Sequence, residues 1–366
     1  MFPVSDFPAV AAVIEDGIAR QLHTGIQIYV SRNGLPLLDA GFGQATPDQP
    51  MTSETVMPWR SAGKPLTALL ILQQIETGRL KLNTPLQEVL EETVGTDKSS
   101  ITIFDLLTHQ SGFPSTETGW PQSEWSTIID RIVQQPVQLP AGTAAYHPQS
   151  SWFLLGEILR RLAGADHFEQ VLQHDLLDPL GLNETACGIS AERSAFIHHR
   201  LPVLYERDQG QLVKSSYGGG RWLQTPSPGG NLRGPIRQLG MFLEMLLRKG
   251  ADSNGHAFVS ETTVTQMTSR HRENQFDQTL QHVVDFGLGV ICNSNRHGAA
   301  TVPYGFGRWS AEASFGHGGS QCSIGFCDPP RGLVVAWSAN GFCGEGQHQR
   351  RNRMLNEAIY QDLGLI

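Results

Sequence analysis

The chain of 366 residues has few charged side chains, since Asp, Glu, Lys and Arg make up 17% of it, against roughly 25% in an average soluble protein. Basic residues are scarcer than acidic ones: 27 Lys and Arg oppose 35 Asp and Glu, and the net charge is −8. This balance argues against a nucleic-acid-binding surface, which requires a basic face. With 39% hydrophobic residues, the chain can bury a large core, and its length predicts about two domains or one large domain with an insertion.

Cysteine is scarce as well. The five cysteines are an odd number, and no Cys-x-x-Cys pair occurs, so we expect neither a disulfide framework nor a structural zinc site. The sequence also has no apolar run of about 18 residues, as a transmembrane helix requires, and no basic and apolar leader of the secretory type. Neither a His-Glu-x-x-His motif nor a phosphate-binding loop is present. We therefore expect a cytoplasmic protein without a metal or cofactor and without nucleic-acid or membrane partners; the oligomeric state stays open.

Hydrophobic periodicity predicts a helix, a hairpin and a second helix in the first 80 residues. Apolar residues recur at helical spacing over 7–21, and Asn33-Gly34 separates two apolar runs, which is a strong signal for a tight β-hairpin. A nearly continuous apolar run within 61–77 predicts a helix that is buried on most sides, and Gly78 is suited to end it.

The rest of the chain changes character twice. Helical segments broken by Pro, Gly and polar loops dominate 81–224, and further helices are predicted at 232–247 and 353–363. Strands are predicted at 286–291, 323–327 and 333–338. We therefore predict an α/β (α+β) fold in which residues 1–80 and 230–366 form one antiparallel sheet flanked by helices. Residues 81–229 would be a mostly helical insertion that forms the other wall of an active-site cleft.

The clearest chemical signal is Ser61-x-x-Lys64. Residues three apart on a helix share a face, so the hydroxyl and the amine can touch. A serine becomes a nucleophile when a neighbour accepts its proton, and a lysine can do so if burial lowers its pKa. Taken alone, the pattern is weak, because a helix-capping serine next to a solvated lysine would look the same.

The surrounding sequence resembles the serine β-lactamase-like and penicillin-binding-protein-like family, which includes class C β-lactamases, family VIII esterases, D,D-peptidases and D-aminopeptidases. The resemblance spans nearly the whole chain and keeps the order of the blocks. It is carried by 61–68, by 76–86, by 101–114 with its Leu-Leu-Thr-His-Gln-Ser-Gly core, by 140–143 with 155–158, and by 316–320. It implies the fold predicted above and catalysis by Ser61 and Lys64.

The family's second motif is Tyr-x-Asn, and the matching residues here are Tyr146-His147-Pro148. The resemblance implies that Tyr146 shuttles the Ser61 proton, with Lys64 keeping the pKa of Tyr146 low. The third motif, usually Lys-Thr-Gly, reads His317-Gly318-Gly319, as in the esterase-like branch. By the same resemblance these three residues bind substrate, and the backbone N–H groups of Ser61 and Ser320 form the oxyanion hole.

Together these residues predict a serine hydrolase that forms an acyl-enzyme on Ser61, most simply a carboxylesterase acting on small neutral esters. The substrate would be a small-molecule ester or amide. A peptidase or amidase for D-amino-acid or peptidoglycan-type amides, a β-lactamase and an acyltransferase are alternatives, because the sequence does not identify the leaving group or the acceptor. A catalytically inactive acyl-ligand-binding module is a further alternative, since the second and third motifs depart from the family pattern.

Overall fold

The computed structural model describes residues 4–366, and Met1–Pro3, the start of the segment searched above for a secretory leader, lie outside the described residues. The helices are α1 Pro8–Ala19, α2 Lys64–Glu76, α3 Ile103–Leu107, α4 Trp125–Gln134, α5 Ser150–Ala163, α6 Phe168–Leu172, α7 Ala191–Phe196, α8 Gly220–Gln224, α9 Ile236–Leu247, α10 Glu261–Thr268 and α11 Glu345–Asp362.

The strands are mostly short outside one large sheet. They are β1 Gly25–Arg32, β2 Leu35–Thr46, β3 Gln49–Pro50, β4 Met57–Pro58, β5 Ala186–Cys187, β6 Tyr205–Asp208, β7 Gln211–Lys214, β8 Leu232–Gly234, β9 Phe276–Asp277, β10 His282–Val283, β11 Ile291–Cys292, β12 Phe315–Gly319, β13 Ser323–Asp328, β14 Leu333–Ala339 and β15 Gly341–Phe342.

The large sheet has seven strands in the order β11-β12-β13-β14-β1-β2-β3, and all its neighbouring strands are antiparallel. Both ends of the chain therefore contribute to one sheet, because β1 pairs with β14, with Ile28 opposite Trp337. This confirms the predicted fold class of an antiparallel sheet with flanking helices. The Asn33-Gly34 turn is also confirmed: both residues have positive φ, 52° and 75°.

The alternation of side chains in β1 explains how the sheet is covered on both faces. Ile26, Ile28 and Val30 pack into a cluster with residues of α1 and α11, whereas Tyr29 points to the opposite face and packs with α9. Both faces of β1 are thus buried. Helix α2 is buried along most of its length, as its apolar run predicts.

Several predicted elements are wrong in detail. The helix expected over 232–247 begins as strand β8, and α9 starts only after Pro235. Of the strand expected over 286–291, only Ile291 is in a strand, because Gly289 turns the chain with a φ of 74°. The last helix starts at Glu345, eight residues before the predicted start at Arg353.

The middle of the chain contains strands that the sequence did not reveal, including the hairpin β6–β7. The division into 1–80 with 230–366 and 81–229 stays a prediction, and one hydrophobic cluster draws residues from both segments. All five cysteines are buried free thiols. Within residues 4–366, no helix combines the length and the hydropathy needed to span a bilayer.

Candidate active site

Ser61 lies in a single 3₁₀ turn, Arg60–Gly63, that leads directly into α2, and Lys64 is the first residue of α2. The predicted helix thus starts later than Ser61, yet the two side chains still meet: Nζ of Lys64 is 3.0 Å from Oγ of Ser61. Arg60 enters the turn with a φ of 52°, a conformation that non-glycine residues adopt rarely and often at functional sites.

Lys64 is fully buried and has no carboxylate partner among the described residues. Its other two partners are backbone carbonyls, those of Pro148 at 2.8 Å and Gly229 at 2.6 Å. Burial lowers the pKa of Lys64 well below its ordinary value, and the positive charge of Arg60 lowers it further. In the neutral amine, two N–H bonds point to the carbonyls, and the lone pair can accept the Ser61 hydroxyl proton. The arrangement therefore suits a general base.

Tyr146 lines the same cavity as Ser61. Its ring packs against His109, with 4.6 Å between the ring centroids. Burial raises the pKa of Tyr146, although a hydrogen bond with Ser61 opposes this. The expectation that Lys64 keeps the pKa of Tyr146 low is therefore wrong: burial of the phenol outweighs its hydrogen bond with Ser61, and Lys64 is not among the groups that lower this pKa. Tyr146 is suited to donate a proton.

The segment that carries Tyr146 is held by two buried histidines that act as hydrogen-bond acceptors. Nδ1 of His109 accepts the backbone N–H of His147 at 3.0 Å, and Nε2 of His147 accepts the backbone N–H of Phe113 at 3.0 Å. Burial lowers the pKa of both imidazoles, and neutral rings are needed for accepting. Pro148, at the position of the family's Asn, accepts a hydrogen bond from Lys64 through its backbone carbonyl.

The third motif lies within strand β12, and the two strands β13 and β14 follow it in the chain. A Cβ at Gly319 would come within 2.3 Å of the carbonyl oxygen of Trp59, so only glycine lets β12 approach the turn that carries Ser61. His317 is 2% exposed, and its Nδ1 donates to the carbonyl of Gly318 over 2.7 Å. Burial lowers the pKa of His317 to about 3, so this ring is neutral.

A cavity of about 540 Å³ brings most of the predicted site residues together, namely Ser61, Tyr146, His317, Gly318 and Ser320. Lys64 lies behind Ser61, and Gly319 lies against the turn that carries Ser61. Sequence reasoning missed the carbonyl acceptors of Lys64 and two further cavity residues, Tyr304 and Glu345; no local sequence signal marks any of them. Among residues 4–366, no group of three or more His, Cys, Asp or Glu side chains could hold a metal ion.

Known proteins share sequence and fold with this chain. The family model described as Beta-lactamase matches residues 10–359. Penicillin-binding protein 4 of Amycolatopsis lactamdurans is 27% identical over 48% of this chain, a match that spans only 44% of that protein.

Two longer similarities cover most of the chain. The esterase/beta-lactamase LipL of Mycobacterium tuberculosis is 23% identical over 85% of this chain and 76% of its own length. The crystal structure of a family VIII carboxylesterase superposes with a TM-score of 0.79 at 20% identity, covering 99% of both chains. The match of the family model over nearly the whole length shows that the chain belongs to the beta-lactamase family, a family of serine hydrolases.

Proposed function

We propose that this protein is a carboxylesterase that hydrolyses small neutral esters through an acyl-enzyme on Ser61. The contact between Ser61 and Lys64 carries the proposal: a fully buried lysine, held by two carbonyls and by no carboxylate, lies 3.0 Å from the serine oxygen. A neutral amine in this position can take the hydroxyl proton as the serine attacks.

The first half of the reaction follows from this geometry. Oγ of Ser61 bonds to the ester carbonyl carbon while its proton passes to Nζ of Lys64. The carbonyl oxygen becomes an oxyanion, which the backbone N–H groups of Ser61 and Ser320 stabilise. When the carbon–oxygen bond to the alcohol breaks, the Tyr146 phenol protonates the leaving oxygen, and the Lys64 ammonium returns a proton to the Tyr146 oxygen.

In the second half, water attacks the acyl carbon and gives its proton to the same pair of residues. The bond to Ser61 breaks, Oγ regains a proton, and the carboxylic acid leaves. The enzyme is restored with Lys64 and Tyr146 both neutral, as their buried surroundings favour.

The preference for neutral over anionic substrates rests on the uncharged side chains of the third and second motifs. His317 is buried and uncharged, whereas the lysine of related motifs would offer a positive charge to a substrate carboxylate. Pro148 has no side-chain amide to hold a substrate carbonyl. Both features weaken binding of anionic β-lactams and leave the esterase chemistry intact. The family VIII carboxylesterase is named for ester hydrolysis, whereas LipL is named as both an esterase and a β-lactamase.

A fluorophosphonate probe tests the nucleophile. We expect a mass adduct on the Ser61 peptide of the folded protein and none in Ser61→Ala, whose circular dichroism should be unchanged. Turnover of p-nitrophenyl butyrate should exceed that of nitrocefin by at least about a hundredfold in kcat/KM. Labelling at another serine would disprove the role of Ser61, and equal turnover of the two substrates would favour a β-lactamase.

A further inference from the structure

The cavity around Ser61 is lined by one formally charged acidic side chain, that of Glu345, and by no lysine or arginine among the described residues. Glu345 is the first residue of α11, and its side chain is exposed at the cavity mouth. The remaining polar lining consists of hydroxyl, amide and imidazole groups, and the other lining residues are apolar. The formal charge of the cavity is therefore negative.

The carboxylate of Glu345 is hydrogen-bonded but not neutralised. The hydroxyl of Tyr304 donates to Oε2 over 2.8 Å, and the hydroxyl of Ser320 donates to Oε1 over 3.4 Å. Throughout residues 4–366, no Lys, Arg or His side chain forms an ion pair with Glu345. The two neutral donors fix the position of the carboxylate and leave its charge available to a ligand.

The carboxylate of Glu345 lies close to the groups proposed to take part in the reaction. Ser320, which touches Glu345, also carries the backbone N–H proposed for the oxyanion hole. The negative charge of Glu345 also contributes to the raised pKa of Tyr146. An uncompensated carboxylate here opposes the negative charge that develops on the substrate oxygen, because like charges repel. A positive charge on the substrate would remove this penalty and add a direct attraction.

We propose that Glu345 is a specificity-determining residue that binds a cationic group, a protonated amine or a quaternary ammonium, on the ester substrate. The inference rests on the proposed esterase function and specifies its substrate class: cationic esters are preferred, neutral esters are turned over more slowly, and anionic esters are rejected. Tyr304, which lines the same cavity, adds an aromatic ring of the kind that accompanies bound ammonium groups.

A purely structural role for Glu345 is the competing explanation. An acidic residue in the first turn stabilises a helix through its dipole, and α11 would benefit whatever the substrate. If the role is purely structural, a substitution at Glu345 changes the melting temperature of the protein but leaves the ratio of turnover rates between substrates unchanged. Substrate ratios therefore separate the two explanations.

Two pairs of isosteric esters measure this ratio. Choline butyrate and 3,3-dimethylbutyl butyrate differ by a positive charge in the alcohol. The p-nitrophenyl esters of 4-(trimethylammonio)butanoic acid and 5,5-dimethylhexanoic acid differ by the same charge in the acyl group. At pH 8, where ordinary imidazoles are neutral, and at low salt, we expect kcat/KM to favour the cationic member of at least one pair by about tenfold. Added salt should reduce the preference, since ions screen exposed charges.

Glu345→Gln should bring the ratio close to one, and Glu345→Asp, which keeps the charge and the helix N-terminus, should retain part of the preference. Glu192→Gln is the matched control, since Glu192 also lies in the first turn of a helix but on an exposed surface outside the cavity. A ratio of one in the unaltered protein, or a preference that survives in Glu345→Gln, would overturn the assignment of Glu345 while the esterase stands. No hydrolysis of any of the four esters would instead overturn the proposed esterase and, with it, this inference.

Discussion

Asp277 accepts the backbone N–H of Tyr146 over 3.0 Å, although 131 positions separate the two residues. The same oxygen accepts the N–H groups of Thr279 and Leu280, which belong to the cavity lining. The other carboxylate oxygen pairs with Arg272 over 2.8 Å, and both charged side chains are fully buried. Asp277 thus positions the backbone of the proposed proton donor and one wall of the cavity together.

Asp277→Asn should destabilise the protein by about 3–5 kcal/mol, because it leaves the Arg272 charge buried without its partner. Urea unfolding measures this loss. The double variant Arg272→Met with Asp277→Asn removes both charges, and it should be more stable than the sum of the two single variants implies. If the loss of unfolding free energy in the double variant equalled the sum of the losses in the two single variants, the buried pair would not be coupled.

Lys64 should govern the acidic limb of the pH profile. The neutral amine is the active form, and burial lowers its pKa well below the ordinary lysine value. The kcat/KM for a neutral ester should therefore be level in mildly alkaline solution and fall as the pH decreases through the pKa of Lys64. Lys64→Arg should abolish turnover, because a guanidinium does not lose its proton.

Arg60→Met tests whether the positive charge of Arg60 helps to lower the pKa of Lys64. The guanidinium of Arg60, which packs 3.7 Å from the ring centroid of Tyr217, disfavours the charged form of Lys64. Removing it should raise the pKa of Lys64 and move the acidic limb upward by a few tenths to about one pH unit. Arg79→Met is the control, because Arg79 is exposed beyond the opposite end of α2. An unmoved limb in Arg60→Met would contradict the electrostatic role.

Tyr146→Phe keeps the ring that packs on His109 but removes the hydroxyl. If the phenol protonates the leaving alcohol, the acylation rate measured by stopped flow should fall by about two orders of magnitude or more. The fall should be smaller for p-nitrophenyl esters than for alkyl esters, since p-nitrophenolate leaves without protonation. A change in melting temperature with unchanged acylation would assign Tyr146 a packing role only.

Gly319→Ala should impair catalysis by steric displacement. Its Cβ would lie 2.1 Å from Oγ of Ser323 and 2.3 Å from the carbonyl oxygen of Trp59, so β12 must move away from the turn that holds Ser61. We expect kcat/KM to fall by at least about tenfold. Gly219→Ala is the matched control, with extended backbone and open space around the added carbon. Equal activity in both variants would show that β12 tolerates the displacement.

Acid should destabilise the protein through its buried histidines. Burial lowers the pKa of His23, His147 and His317 to about 3, and those of His109 and His348 lie well below the ordinary value. The unfolded chain binds protons near pH 6.5 and the folded chain does not. Stability is therefore fully present above pH 6.5 and is lost as the pH decreases, by up to about 1.4 kcal/mol per pH unit for each histidine. Urea unfolding at pH 8 and pH 5 measures the slope, and a flat dependence would contradict neutral burial.

Local sequence patterns were sufficient to predict the elements whose conformation depends on residues that are close in the chain. The Asn33-Gly34 turn and the buried helix α2 each depend on residues a few positions apart; the turn forms as predicted, and the helix forms with its start at Lys64 instead of Ser61. The contact between Ser61 and Lys64 belongs to the same class, since three positions of helical chain bring them together. Strand β12 was missed because its Gly-rich sequence carries little β-propensity, and its pairing with β13 decides its conformation.

Tertiary structure alone decided the surroundings that give these residues their chemistry. The carbonyls that hold Lys64 lie 84 and 165 positions away in the chain, and Glu345 meets Ser320 across 25 positions. A motif specifies which side chains are available, whereas burial and neighbouring charges set their pKa values, and these depend on everything packed around them. The sequence by itself therefore predicted a nucleophile and its neighbour, while the fold decided that the pKa of Lys64 is lowered, that the pKa of Tyr146 is raised and that Glu345 lines the cavity without a basic partner among the described residues.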